Sequence, residues 1–280
     1  MIETKACNLK KILLFSICLP FLILIASPAH SSENEVYSFG LIPQGPALNM
    51  YKRWTPFIDK ISEDTGIKFK IKVYDHVFDF ENGLRLGLFD FAYLHSIQEA
   101  EAYIHQKYIP LVRSKRFCKG AMFVAKNSPI KIIEELKGKD IALVSQRSLC
   151  SVVLRHALST EKDIEDYNVI YGGSPTNVYK NVLLNKTVAG GTLDVALSRE
   201  SADMSSNLRS IYETPSMAPH PIAVHPRIPE KIRKKVTEAV LRIAQDDDGR
   251  KLLKTIRMPA PLVHADYNRD YKNLEKYVIE

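Results

Sequence analysis

Apolar residues return with a helical step at Trp54, Phe57, Ile58 and Ile61 until Gly66 breaks the run, which predicts a helix with one buried face. The period changes on either side of it. Residues 36–42 form a short apolar run that stops at Pro43-Gln44-Gly45-Pro46, a strand followed by a turn. Phe69, Ile71 and Val73 alternate with lysines, the pattern of a half-buried strand. Phe80, Leu84 and Leu88 read as the next helix, residues 90–94 as a strand, and a further helix starts at Ser96.

The second half repeats this alternation. A strand is expected at 120–125, a helix from Ser128-Pro129 to Gly138, a strand at 141–144 and a helix after Ser148. Then come a strand at 169–171, the turn Gly172-Gly173-Ser174, a helix over 176–185 and the pair Gly190-Gly191. Pro215, Pro219, Pro221, Pro226 and Pro229 stiffen the stretch around a strand at 222–224, which suits either a crossing between lobes or a surface loop. Helices over 229–244, 248–256 and 267–278 finish the chain. Alternating strands and helices imply an α/β protein with parallel or mixed sheets, whose ligands sit off the carboxyl ends of the strands. Gln44, His76, Tyr93, His95 and Ser96 all fall at such ends.

The N-terminus changes the picture of where the protein works. Lys5, Lys10 and Lys11 precede an apolar stretch over 12–26 that is short for a membrane span, and Ala26-Ser27-Pro28-Ala29-His30-Ser31 offers small residues for cleavage near Ala29 or Ser31. This reads as a secretory signal, so a periplasmic location is expected. Its removal takes away Lys5, Lys10, Lys11 and Glu3 and lowers the formal net charge from +7 to +5. The remaining basic residues are scattered rather than interleaved with aromatics, which argues against nucleic acid as a partner. Cys7 and Cys18 leave with the signal, and Cys118 and Cys150 stay. In an oxidising compartment these two are expected to pair, but their spacing does not say whether they meet. Cys150 has two other readings: a small buried apolar residue, or a thiol whose pKa is lowered at a helix start.

Two stretches carry the candidate chemistry. Residues 136–151 read as helix end, glycine turn, apolar strand and then a Ser-rich loop opening a helix. Hydroxyls and unpaired N–H groups at the positive end of a helix suit a small anion. Residues 89–95 place Tyr93 at a strand end, where its ring and hydroxyl can meet a solute. No grouping of His, Cys, Asp and Glu has metal spacing, and no nucleophile–base pair or phosphate-cradling loop is present. Neither a metal, a cofactor nor a catalytic residue is therefore expected, and the protein is not read as an enzyme. Asp246-Asp247-Asp248 reads as a helix cap.

Five of these features stand in a familiar order: Asp90-Phe91-Ala92-Tyr93, Lys126-Asn127-Ser128-Pro129-Ile130, the turn at 136–139, the loop Ser148-Leu149-Cys150-Ser151, and the proline-rich return over 219–229. The chain resembles the phosphate/phosphite/phosphonate-type periplasmic solute-binding proteins of ABC transporters. The resemblance implies the type-2 periplasmic binding fold: two α/β lobes with mixed sheets, joined by two crossover strands. The lobes would comprise 33–124, then 125–214, with 215–280 returning to the first lobe after a signal of 1–31. It further implies a monomer that closes on a small polar or anionic solute and delivers it to a membrane permease. Gln44, Tyr93 and His95 would serve the first lobe, and Ser148, Cys150, Ser151, Ser174 and Asn177 the second. The chain departs from the family where Leu149 and Cys150 replace two hydroxyl residues of the anion loop. It departs again at Gly173-Ser174-Pro175, which lacks a following histidine, and at Val77, near which the family carries a tyrosine. The cysteine in the loop motivates an alternative, a sensor of soft oxyanions through Cys150 and Cys118 that partners a membrane histidine kinase.

Overall fold

The computed structural model describes residues 35–278 and arranges them around two mixed sheets. The leader expected at 1–31 lies outside the described residues.

The first lobe begins with β1 (Val36–Leu41), α1 (Ala47–Thr65), β2 (Lys68–Lys72), α2 (Val77–Arg85), β3 (Phe91–Tyr93), α3 (Ser96–Gln106) and β4 (Ile109–Ser114). In α1 the helical step buries Met50, Trp54, Phe57, Ile58 and Ile61. Gly66 then takes the left-handed conformation (φ 68°) that ends the helix, its N–H donating to Ser62 O at 2.7 Å. The chain next crosses to the second lobe: β5 (Gly120–Ala125), β6 (Lys139–Leu143), α4 (Leu149–His156), β7 (Tyr167–Tyr171), α5 (Pro175–Leu183), β8 (Ala189–Leu193), α6 (Asp194–Leu197), α7 (Ala202–Ser206) and β9 (Leu208–Glu213). It returns as β10 (Pro221–Val224), α8 (Glu230–Ile243), α9 (Asp247–Thr255), β11 (Leu262–His264) and α10 (Tyr267–Asp270).

The first sheet has six strands in the order β11-β4-β10-β3-β1-β2, and the second has five in the order β7-β6-β8-β5-β9. Strands β1, β2 and β3 run parallel, whereas β4, β10 and β11 pair antiparallel. The second sheet likewise joins parallel β6, β7 and β8 to antiparallel β5 and β9. This is the type-2 arrangement of two α/β lobes. The chain passes between sheets at 115–119 and again at 214–220, and an antiparallel bridge between Cys118 and Met217 ties the two passages together.

Three sequence expectations change, and the pair Gly190-Gly191 is assigned an element. Strand β5 belongs to the second sheet, so the first crossing precedes it and does not follow residue 124. The helix expected from Ser128-Pro129 to Gly138 shrinks to a 3₁₀ turn, Ile133–Leu136. There Glu135 turns back to accept the N–H of Lys131, and only Ile133 and Leu136 of the turn are buried. Gly190-Gly191 lies inside β8, where added Cβ atoms would come within 2.6 Å of Val178 and 2.5 Å of Leu154. The absent side chains let α5 and α4 close on the sheet. Finally, the helix over 267–278 splits into α10 and a 3₁₀ segment, Lys272–Tyr277.

That last segment is anchored by Asp270. Arg113 Nε and Nη2 each donate to its carboxylate at 2.9 Å, and both residues are buried. Burial pushes the Asp270 carboxyl up, but hydrogen bonds from Arg269, Arg113 and the Asp266 N–H outweigh it and hold it well below the usual carboxylate range. Removing one side leaves an uncompensated buried charge. Asp270→Ala is therefore expected to cost about 3–5 kcal/mol in urea unfolding. Glu213→Ala, which breaks the open pair with Lys119, should stay within about 1 kcal/mol. Equal losses in the two variants would show that the anchor contributes no more than a surface pair.

Glu99 behaves oppositely. It is 0% exposed on α3, neither carboxylate oxygen has a hydrogen-bond partner, and burial raises its pKa well above the ordinary value. The folded protein thus keeps a proton that the unfolded chain releases near pH 4.3, so stability falls as pH rises from there toward the folded pKa. Glu99→Gln holds no such proton. It should be more stable than the parent by about 1–3 kcal/mol at pH 8, with the gap closing at pH 4. Parallel urea curves at the two pH values would refute this.

Candidate functional site

Tyr93 ends β3 between β1 and β10, and it is 1% exposed. Its ring packs on Trp54 at 4.6 Å between centroids and faces His220 at 5.6 Å. Burial pushes the phenol above its ordinary pKa, and the charges of Arg199 and Arg257 only partly pull it back. The hydroxyl is a neutral donor at any physiological pH.

His95 occupies the N-cap of α3. Its Nδ1 accepts the N–H of Gln98 at 3.2 Å, while Gln98 Oε1 accepts the N–H of His95 at 3.2 Å. Because Nδ1 accepts, the proton of the neutral ring sits on Nε2, which is buried without a partner. Burial first, then the charges of His220 and Arg147, keep this imidazole well below its usual pKa, against the raising effect of backbone hydrogen bonds at Arg147 and His95 itself. Gln98 Nε2 donates on to Glu81 Oε1 at 3.1 Å, and the other Glu81 oxygen meets Arg147 Nη2 at 2.5 Å. Arg147 sits in the loop ahead of α4. A continuous polar chain therefore runs from the strand ends of one lobe to the helix entrance of the other.

At that entrance Ser148 holds the N-cap position of α4, and its hydroxyl lies 2.7 Å from Ser151 Oγ and 3.1 Å from Ser145 O. Cys150 is buried, its Sγ 3.5 Å from Ser148 Oγ. Burial pushes this thiol up, against the lowering effect of hydrogen bonds from Ser148 and Ser151. The expectation of a thiol activated by the helix start is therefore corrected: desolvation outweighs the dipole. The disulfide is corrected as well. Both cysteines are free and buried, Cys118 donating to Met217 O at 3.7 Å inside the crossing bridge. Its thiol is pushed up to about 12, by burial first.

The remaining candidates are more local. Ser174 caps α5 by accepting the N–H of Asn177 at 3.3 Å, and Asn177 Nδ2 donates to Gly172 O at 2.9 Å. No hydrogen bond among the described residues links either to the α4 entrance. Gln44 is half-buried in the turn after β1, and His76 is exposed at the start of α2. What sequence reasoning missed is His220, a neutral imidazole beside Tyr93, and the cations Arg199 and Arg257 that act on both. Burial, then Arg199 and Arg257, pull His220 down to about 4. Arg257 is itself lowered by burial first, then by the charges of Arg53 and Arg199. Only the proline-rich setting of His220, at the end of the second crossing, offered a signal.

A family profile for phosphonate-type periplasmic substrate-binding proteins of ABC transporters matches residues 39–271. The chain belongs to this family. Among curated proteins none matches it by sequence. Of solved structures, XAC2383 from Xanthomonas citri superposes with a TM-score of 0.75 at 18% identity, covering 88% of this chain and 97% of that one. PhnD1 from Prochlorococcus marinus gives 0.71 at 17% identity over 86% and 96% of the two chains. A binding component of a phosphonate transporter from Pseudomonas aeruginosa gives 0.67 at 14% identity over 84% and 82%. At these identities the structures establish the fold. The family's role is solute binding alongside an ABC permease, and the phosphonate-type family is periplasmic.

In this phosphonate-type protein the neutral state of His220 is open to measurement. Its ring protons should titrate by NMR near pH 4, and Arg199→Gln should move the midpoint up toward the ordinary 6.5, because a removed cation no longer opposes protonation. Since the folded pKa is depressed, stability should fall as pH drops from about 6.5 toward 4. A midpoint near 6.5 in the parent protein would contradict this burial.

Proposed function

We propose that the protein is exported and captures a small anionic solute between its lobes for delivery to an ABC permease. The observation that carries this is the convergence at one cleft floor. Tyr93 and His95 are buried and His220 is half-buried between them, with Arg199 from the second lobe and Arg257 from the first acting on Tyr93 and His220. Neutral donors surrounded by cations favour an anion and disfavour a cation. The leader expected at 1–31 and the periplasmic role of the family support export. Among the described residues no helix is long and apolar enough to cross a membrane.

What is seen in related structures points the same way. XAC2383 has been solved with chloride and with ATP, and PhnD1 with methylphosphonate. All three are anions. Closure is favoured only as far as the solute touches both lobes better when they are shut. Ser148, Ser151 and Arg147 on one side, with Tyr93 and His95 on the other, supply contacts of that kind.

Isothermal titration of protein lacking residues 1–31 with inorganic phosphate, phosphite and methylphosphonate tests the proposal. At least one should bind in the micromolar range, and Tyr93→Ala should weaken it by about tenfold or more. Silence across the panel would remove the reading.

A further inference from the structure

His95 has two ring nitrogens at the start of α3, and only one of them is engaged inside the protein. Its Nδ1 accepts the N–H of Gln98, and Gln98 Oε1 accepts the N–H of His95, both at 3.2 Å. A backbone N–H can only donate, so Nδ1 carries no proton and the ring hydrogen is fixed on Nε2. The residue is 5% exposed, and Nε2 has no hydrogen-bond partner. The Arg147 backbone bears on the ring without supplying one.

The opening turn adds a second, independent observation. α3 is 11 residues long, and among the described residues no acceptor takes the N–H of Ser96 or Ile97, both of which are buried. The Ser96 hydroxyl is committed elsewhere, donating to Ala218 O. Three donors therefore lie out of water at one helix start, where the dipole is positive. Buried donors are nearly always satisfied, and one acceptor-rich group entering there satisfies them together. The nearby carboxylates do not oppose a negative charge. Glu81 is covered by Gln98 and Arg147, and burial keeps Glu99 in its acid form. At the α4 entrance, by contrast, the hydroxyls are turned on one another and on Cys150.

We propose that the anionic group of the solute sits at the start of α3, with His95 Nε2–H as its fixed donor beside the Ser96 and Ile97 N–H groups. Gln98 is then a positioning residue. It does not touch the solute; its side chain closes the cap from the other side and is itself held by donating to Glu81 at 3.1 Å. A ring committed in this way cannot accept, so a solute ammonium group is refused there. The inference rests on the anion-capture reading above and adds which helix start and which tautomer hold the anion.

The experiment is isothermal titration of protein lacking residues 1–31 with inorganic phosphate, phosphite and methylphosphonate, on the parent and on two variants. His95→Asn keeps a side-chain oxygen to cap α3 but loses the ring donor. Its thermal unfolding should stay near that of the parent, while every probe that binds weakens by about tenfold or more. Gln98→Met removes both side-chain bonds. It should weaken the probes by about three- to tenfold in the parent, but by less than about twofold on top of His95→Asn, because its effect runs through that ring. A merely structural role would cost the same in both backgrounds. NMR of the His95 ring needs no variant: it should show the Nε2–H tautomer, and that proton should move downfield when a probe binds. If His95→Asn does not fold, this measurement decides. Parent-like affinity in His95→Asn, an Nδ1–H tautomer, an unmoved ring proton or additive losses from Gln98→Met would overturn the inference and leave anion capture standing. No binding of any probe would bring down both.

Discussion

The antiparallel bridge between Cys118 and Met217 is the constraint on which the rest of the structure depends. Two sheets share one chain through only two passages, and this bridge fixes the passages side by side with backbone hydrogen bonds of 3.0 and 2.8 Å. Around it one apolar cluster draws from every part that must stay in register. Ile97 and Ala100 come from α3, Leu149 and Val153 from α4, and Tyr271 and Leu274 from the C-terminal segment. A pivot made this way allows rotation of one lobe against the other, because few backbone bonds cross it, while apolar packing keeps the lobes from sliding. The Arg113–Asp270 pair holds the C-terminal segment over the pivot, so a charge pair far from the cleft bears on its geometry.

With the pivot fixed, the strand ends of the two lobes face each other, and the chemistry there follows from desolvation. His95 and His220 are kept neutral, Cys118 and Cys150 stay as thiols, and Tyr93 stays a phenol. Burial is the main cause for each of these groups, and it favours uncharged forms. The floor is thus a set of neutral donors, and the positive charge that attracts a solute sits around it on arginines, which remain ionised under any such shift. The groups most easily neutralised lie deepest, and the one side chain that cannot lose its charge lies at the rim.

Much of the fold was legible in the sequence, for reasons of period. Trp54, Phe57, Ile58 and Ile61 mark α1 unmistakably, and Asp90 to Tyr93 mark the strand that carries the best site residue. Strand β8 was not legible, because Gly190-Gly191 carries no strand pattern until Val178 and Leu154 are seen pressing on it from α5 and α4. The helix expected around Glu135 failed because only Ile133 and Leu136 of its turn find a core to bury against. In the site, Tyr93 and Ser148 could be placed because strand ends and helix starts have local signatures. Arg199 and Arg257, whose charges act on Tyr93 and His220, have none: each lies on a different element. Of the readings left open for Cys150, the small buried residue is the one that fits: the helix start was visible in sequence, whereas the burial that opposes it appears only in the fold.

The polar chain from His95 through Gln98 and Glu81 to Arg147 raises the question of what closure costs without a solute. Glu81 is 2% exposed, and its charge is balanced mainly by Arg147, whose side chain remains 43% exposed. Opening the cleft would return both groups to water, which solvates them well, so this pair contributes little net preference for either form. Its role is better understood as alignment. Glu81 can accept Gln98 and Arg147 together only when α2, α3 and the loop before α4 are in register. The same register turns the His95 ring so that Nδ1 is used by Gln98 and Nε2 is left to point elsewhere. The drive to close must then come from contacts that exist only with a solute present.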